Sequence, residues 1–286
     1  MEGIQENNYV IQYRKLTMLE ILFNHENNHI DKFYLNKILK NLTNDIKMLS
    51  IVIDLNNLNT KLLNFFVREL RKKNISISIT ITNKNYECKK EINIILRRVN
   101  QLRFIVDENI EIKYIENIYK NLNTEHNNLI FLLYVKNVKL FMNNIKPMIE
   151  NNDYIFNISV SNNLKSGDYW LLAKIVSSLK KEYPLKILYD LPCAGVFYKN
   201  LEGICPGFLC LMCIDYNGFA KICYKSIENR KYNIKNDTLN NIFDKLYKEY
   251  FKENNCESFY KCLRGCPIHK NNLCNKFCYK LKGGEL

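Results

Sequence analysis

The chain has 286 residues, 47% of them hydrophobic and 25% charged, with a formal net charge of +13. At this length a globular chain buries roughly three quarters of its unfolded surface, which excludes a disordered, collagen-like or small disulfide-stapled protein. There is no glycine between Gly3 and Gly167, so the front part holds neither a Walker-type nor a dinucleotide-binding phosphate loop, since both need glycine where backbone meets phosphate.

A weak strand is expected at residues 9–13, followed by two N-terminal helices, the first covering 16–24 (LTMLEILFN) and ending in a polar loop. From there two periods alternate. Short apolar or β-branched runs at 50–55 (SIVIDL), 75–82 (ISISITIT), 103–107 (RFIVD), 128–135 (NLIFLLYV), 154–160 (YIFNISV) and 185–188 (LKIL) read as strands. Stretches at 60–71, 89–99, 111–122, 138–146 and 169–182 repeat apolar residues three to four apart, as in Leu62, Leu63, Phe66 and Leu70, and read as helices. Such alternation means βα units on a parallel sheet. Six or seven units suit a whole or partial βα barrel or a doubly wound sheet. In a barrel the chemistry sits at the C-terminal strand ends, here polar: Asp54, Asn56, Thr82, Asn83, Asp107 and Ser161. Trp170, in the apolar run DYWLLAKIV, is expected in the core.

Beyond Leu191 the texture changes. Seven of the nine glycines and three of the five prolines lie at or after Pro192, and ten of the eleven cysteines lie between Cys193 and Cys278. One helix is expected there, from Thr238 to about Asn254, with Thr238 and Asp237 placed to cap it. Residues 191–286 therefore read as a second, loop-rich domain folded around metal, following a first domain over 1–190. The start, MEGIQENNYV, lacks a basic region followed by an apolar run, and no apolar run approaches the roughly 20 residues of a bilayer span. A cytoplasmic protein without a membrane partner is expected. The lysines are scattered, so a nucleic-acid partner is not expected either.

In a reducing compartment clustered thiols point to metal rather than disulfides. The spacing is Cys193-x11-Cys205-x4-Cys210-x2-Cys213-x9-Cys223, then a gap holding the helix, then Cys256-x5-Cys262-x3-Cys266-x7-Cys274-x3-Cys278. Only Cys210-x2-Cys213 has the tight spacing of a zinc knuckle. Wider spacing and more than eight thiols favour four-cysteine iron–sulfur clusters. Cys88 stands alone and reads as a structural thiol; His269, after Cys266-Pro267, is an alternative cluster ligand. His25-Glu26-Asn27-Asn28-His29 matches H-E-x-x-H, which on a helix would hold zinc for hydrolysis, but two asparagines and a polar flank are poor material for a buried helix.

The run IDYNGFAKIC, with Cys223 five residues after Gly218, then YNIKNDTLNNIF, then CESFYKCLRGC resembles the SPASM domain, the auxiliary iron–sulfur domain of many radical S-adenosylmethionine enzymes that modify peptides. The resemblance covers roughly residues 193–278. It implies a partial βα barrel in front, one or two [4Fe–4S] clusters behind, and a peptide precursor or radical enzyme as partner. It also implies ligand sets: Cys205, Cys223 and Cys266 with Cys193 or Cys210 for one cluster; Cys256 and Cys262 with Cys274 or Cys278 for the other. Cys213 is then surplus, and Glu253 stands where the family has a further cysteine. The family's C-x3-C-x2-C loop after the first strand and its Gly-Gly-Glu segment after the second have no counterpart here; SIVIDL runs into NNLNT. The chain thus resembles a degenerate member. S-adenosylmethionine is not expected as a cofactor, and the protein is expected to assist a radical enzyme rather than to catalyse alone. The alternatives are a non-redox binding module with structural zinc or iron–sulfur and, more remotely, the H-E-x-x-H hydrolase.

Overall fold

The computed structural model describes residues 15–25, 28–56, 58–82, 90–122, 129–160, 164–191, 210–223 and 231–253. In chain order the strands are β1 (Met18–Leu22), β2 (Asn24–His25), β3 (Asn28–His29), β4 (Met48–Ile53), β5 (Ser76–Ile81), β6 (Gln101–Val106), β7 (Leu129–Val135), β8 (Ile155–Val160), β9 (Ile187–Asp190), β10 (Leu211–Ile214) and β11 (Ala220–Lys221). The helices are α1 (Lys32–Asn41), α2 (Thr60–Lys72), α3 (Lys90–Leu96), α4 (Ile112–Leu122), α5 (Val138–Leu140), α6 (Lys146–Asn151), α7 (Ser166–Glu182) and α8 (Leu239–Glu253), with a π-helical turn, Phe141–Ile145, joining α5 to α6. Contacts divide the chain into two compact units, Met1–Ile77 with Ile204–Leu263, and Ser78–Gly203 with Arg264–Leu286.

In the first unit the strand order is β11-β10-β1-β4. Strand β1 lies parallel to both β4 and β10, and β11 returns antiparallel along β10 as a hairpin. Asp31 caps α1 through Phe33 N–H at 2.6 Å. Asn59 caps α2 through Leu62 N–H at 3.0 Å. Helix α2 then buries Leu63, Phe66, Val67 and Leu70, one per turn of its apolar face, and stops at Asn74, whose φ of 54° is left-handed. Asp237 receives Thr238 N–H at 2.8 Å and Thr238 Oγ1 receives Asn241 N–H at 3.4 Å, so α8 starts where its caps were expected.

In the second unit the order is β5-β6-β7-β8-β9, and the paired strands β5 to β9 all run parallel. Strands adjacent in space are adjacent in sequence, which is the order of a partial barrel-like α/β sheet rather than of a doubly wound one. Right-handed crossovers between such neighbours put every helix on one face. The residues obey this. One face carries Ile79 and Ile81 of β5, Leu102, Phe104 and Val106 of β6, Phe131, Leu133 and Val135 of β7, and Phe156, Ile158 and Val160 of β8, all buried. Phe104, Phe131 and Phe156 are in register across three strands, with neighbouring ring centroids 6.1 and 5.6 Å apart. Each such side chain contributes about 1.5–3 kcal/mol of burial.

Two expectations are corrected. Residues 16–24 are not a helix: Met18–Leu22 is β1, held between β10 and β4. Five apolar-rich residues fit either period, and sheet burial of Leu19 and Ile21 overrides the helical preference of Leu, Met and Glu. The H-E-x-x-H zinc site is the other: its described residues His25, Asn28 and His29 are not helical. Its histidines lie on β2 and β3, paired as Asn24 with His29 and His25 with Asn28. Cross-strand partners share a face and successive residues alternate, so the two histidines fall on opposite faces of the hairpin and cannot share zinc.

Smaller shifts have local causes. The helix expected to end at residue 146 runs to Asn151 because the π-helical turn accommodates Pro147, which lacks the N–H of a regular turn. Strand β9 starts two residues later than expected, after a turn through Pro184 that leaves Leu185 86% exposed. Trp170 is half-buried, edge-on to the fully buried Tyr169. The expected strand at 9–13 lies outside the described residues. Among the described residues no helix is long and apolar enough to cross a membrane.

Candidate functional site

Strand alternation gives the sheet a second, more polar face. In the second unit it carries Ser78 and Thr80 of β5, Gln101 and Arg103 of β6, Tyr134 of β7, and Asn157 and Ser159 of β8, interspersed with Ile105, Ile130, Leu132 and Leu188. Arg103 Nε donates to Gln101 Oε1 at 2.7 Å. Ser78 Oγ and Asn157 Oδ1 are buried without a hydrogen-bond partner among the described residues. In the first unit one register row runs Lys221–Cys213–Glu20–Ser50. Glu20, Ser50 and Cys213 in it are buried, and Ser50 Oγ lacks a partner among the described residues. Buried polar atoms left unpaired cost about 1–3 kcal/mol each.

The strand ends around it are tied down by side chains that the sequence reading did not single out. Asn24, 3% exposed, follows β1. Its Nδ2 donates to Asp54 O at 2.6 Å and Asn56 O at 3.3 Å, and its Oδ1 accepts Asp54 N–H at 3.0 Å. The loop after β1 is thereby fastened to the loop after β4. Glu108, also 3% exposed, follows β6; its carboxylate accepts the N–H groups of Lys136 and of Asn137, the latter at 2.7 Å. Asn144 Nδ2 donates to Glu108 O at 2.8 Å. Asn137 in turn caps α5 through Lys139 and Leu140 N–H. Of the polar strand-end residues expected to carry chemistry, Asp54 and Asp107 accept the N–H groups of Asn56 and Asn109 two residues on. Asn83 and Ser161 lie outside the described residues. The alternation Ser76, Ser78, Thr80 within ISISITIT was a legible signal of the second face. Asn24 and Glu108 gave none, because their partners are backbone groups about 30 residues away.

Three of the ten clustered cysteines are described. Cys210, Cys213 and Cys223 form no disulfide among the described residues. The β10–β11 hairpin pairs Cys213 with Lys221, and continuing that register puts Leu211 opposite Cys223. Cys213 and Cys223 therefore share a face, and Cys210 lies at the open end beside Cys223. Burial pushes the Cys213 thiol well above its ordinary range, with the negative charges of Glu20, Cys223 and Asp215 adding to it and Lys221 opposing. Binding metal there means removing that proton. At the closed end Asp215 Oδ1 accepts the N–H groups of Asn217 and Phe219, each at 2.9 Å, which shapes the turn before Gly218. Among the described residues no three Cys, His, Asp or Glu side chains converge on a metal position. Cys193, Cys205, Cys256, Cys262, Cys266, Cys274, Cys278, Cys88 and His269 lie outside the described residues; Glu253 is the last residue of α8.

No protein-family model matches the chain, and no curated protein does. Solved structures do. Streptococcus suis SuiB bound to the precursor peptide SuiA matches with a TM-score of 0.61 at 14% identity, over 93% of this chain and 74% of that one. SuiB bound to S-adenosylmethionine matches with a TM-score of 0.60 at 15% identity, over 92% and 74%. A third SuiB structure gives 0.60 at 14%, over 92% and 76%. At this identity the likeness is one of fold: the chain has a mixed α/β fold with a largely parallel sheet, similar to that of SuiB.

Proposed function

We propose that the chain is a degenerate radical S-adenosylmethionine protein with a SPASM-type iron–sulfur region, which assists a radical enzyme in maturing a ribosomally made peptide. The observation that carries this is the segment after β1. In the family that the chain resembles, this loop brings three cysteines to the reactive cluster. Here it is Phe23–Asp31 without cysteine, folded as the β2–β3 hairpin and fastened by Asn24 to the loop after β4. The second loop, Asp54–Asn59, has no glycine to approach a bound methionine. The chain therefore offers no ligands for the cluster that cleaves S-adenosylmethionine. The thiols after Cys193 are retained, and the hairpin with Gly218 and Cys223 has the turn and spacing that an auxiliary cluster uses.

When bound, such clusters supply one-electron transfer or a structural cross-link. Cys205, Cys223 and Cys266 with Cys193 or Cys210 would hold one; Cys256 and Cys262 with Cys274 or Cys278 would hold the other, with Glu253 a further candidate. Two roles follow for the chain: passing electrons, or holding the peptide precursor on the polar face of the sheet. The precursor peptide in the SuiB complex supports the second. The test is purification under anaerobic conditions. About four to eight irons with matching sulfide per chain, falling on Cys223→Ala, supports the reading. Colourless protein with stoichiometric zinc favours the non-redox binding module instead.

A further inference from the structure

The fold of the first unit gathers basic residues that lie scattered along the sequence. Helix α1 carries Lys32, Lys37 and Lys40 and no acid. Helix α2 with its cap carries Lys61, Arg68, Arg71, Lys72 and Lys73 against one acid, Glu69. Two helices thus hold an excess of seven bases, in a chain whose whole net charge is +13. Glu69 is taken up by Lys72 at 2.8 Å and Arg68 at 3.5 Å. Lys37, Lys40, Lys61, Arg71 and Lys73 make no ion pair among the described residues.

Helical period decides where these charges point. Phe33, Lys37 and Lys40 lie opposite the buried Leu35, Ile38 and Leu39 of α1. Lys61, Phe65, Arg68 and Lys72 lie opposite the buried Leu63, Phe66, Val67 and Leu70 of α2. The helices pack side by side, with Lys32 Nζ 5.5 Å from the centroid of the Phe65 ring. Phe33 is 51% exposed and Phe65 is half-buried. The outer face therefore has an aromatic centre and a basic rim, and extends about 20 Å along α2. An apolar centre inside a charged rim is the anatomy of a protein interface. A duplex nucleic acid would instead call for a helix inserted into a groove, whereas α1 and α2 both lie with one face buried. The groove between two such helices accepts a third at about 8–10 Å, and an uncompensated basic field selects an acidic one.

We propose that the outer face of α1 and α2 docks an acidic amphipathic helix of a partner protein, its apolar side chains over Phe33 and Phe65 and its carboxylates among Lys37, Lys40 and Lys61. The proposal goes beyond the function above and does not rest on it, since this face contains no cysteine.

The test uses the full-length protein and a fluorescein-labelled helical peptide of about 14 residues, the length that matches α2, with glutamate on one face and leucine on the other. Anisotropy is expected to show binding that weakens at least tenfold between about 50 and about 500 mM salt. Lys37→Glu with Lys40→Glu and Lys61→Glu is expected to weaken it at least tenfold. Lys113→Glu with Lys139→Glu and Lys174→Glu, the same charge change in the second unit, is expected to leave it within twofold. Phe33→Ala is expected to weaken it about tenfold, and so is scrambling the peptide so that its two faces are lost. Should the first triple variant fail to melt cooperatively, Lys37→Glu with Lys61→Glu replaces it. No binding at about 100 μM, equal losses in the two triple variants, indifference to Phe33→Ala and to scrambling, or tighter binding of a single- or double-stranded DNA of equal charge overturns the proposal.

Discussion

Gly218 holds the closed end of the β10–β11 hairpin at a φ of 78°, and a Cβ there would overlap the ring of Tyr34 on α1. Two penalties therefore meet at one position, left-handed backbone and overpacking. Gly218→Ala is expected to destabilise by about 2–4 kcal/mol in denaturant melts. Adding Tyr34→Ala should recover the overlap but not the backbone strain, so the two changes will not add. Asn24→Ala removes three hydrogen bonds to the Asp54 and Asn56 backbone and should cost about 2–3 kcal/mol. Asn24→Asp should cost more at neutral pH, because a carboxylate would face the Asp54 and Asn56 carbonyls, and recover as acid protonates it. Asp237 behaves in the opposite sense. Hydrogen bonds from Lys245, then Asn241 and Thr238 N–H, lower its pKa from 3.8 to about 2. A depressed carboxyl stabilises the folded state above its unfolded pKa and loses that contribution as pH falls. Amide protection factors in the first turn of α8, corrected for the intrinsic exchange rate, should therefore fall between pH 4 and pH 2, and Asp237→Asn should abolish that step.

At the scale of elements, what was legible follows from period and length. The strands β4 to β8 were visible because each apolar run is flanked by polar turns, and the helices α2, α4 and α8 because their apolar residues repeat every three or four positions. Strand β1 was not. Its side chains alternate Leu19, Glu20, Ile21, yet the run is short and rich in helix formers, and only pairing with both β10 and β4 decides it. The same applies to β2 and β3, two residues each, where the hairpin follows from the Asn24 clamp rather than from local preference. The candidate site divides the same way. Cysteine spacing and the missing loop ligands could be read directly, whereas the polar face needed the register of adjacent strands. The apolar face makes its own prediction. Phe131 sits between Phe104 and Phe156 and against Tyr154, with no exposure. Phe131→Ala should cost about 3–5 kcal/mol through the cavity it leaves, measured as a fall in the denaturant midpoint without a change in slope.

At the scale of the whole chain, the region after Leu191 is not an appendage to the sheet. Strand β10 supplies the parallel partner on one side of β1, with Cys210 O accepting the N–H groups of Thr17 and Met18 at 3.0 and 2.9 Å. A fragment ending at Leu191 leaves β1 as an unpaired edge flanked by Leu19 and Ile21. It should aggregate, seen as loss of the monomer peak in gel filtration. The central claim is that the chain has kept auxiliary clusters while losing the site that cleaves S-adenosylmethionine. Anaerobically purified protein should contain about four to eight irons with equal sulfide and, when reduced with dithionite, yield no 5′-deoxyadenosine from S-adenosylmethionine. Formation of 5′-deoxyadenosine by the chain alone, or the absence of iron, would contradict the account.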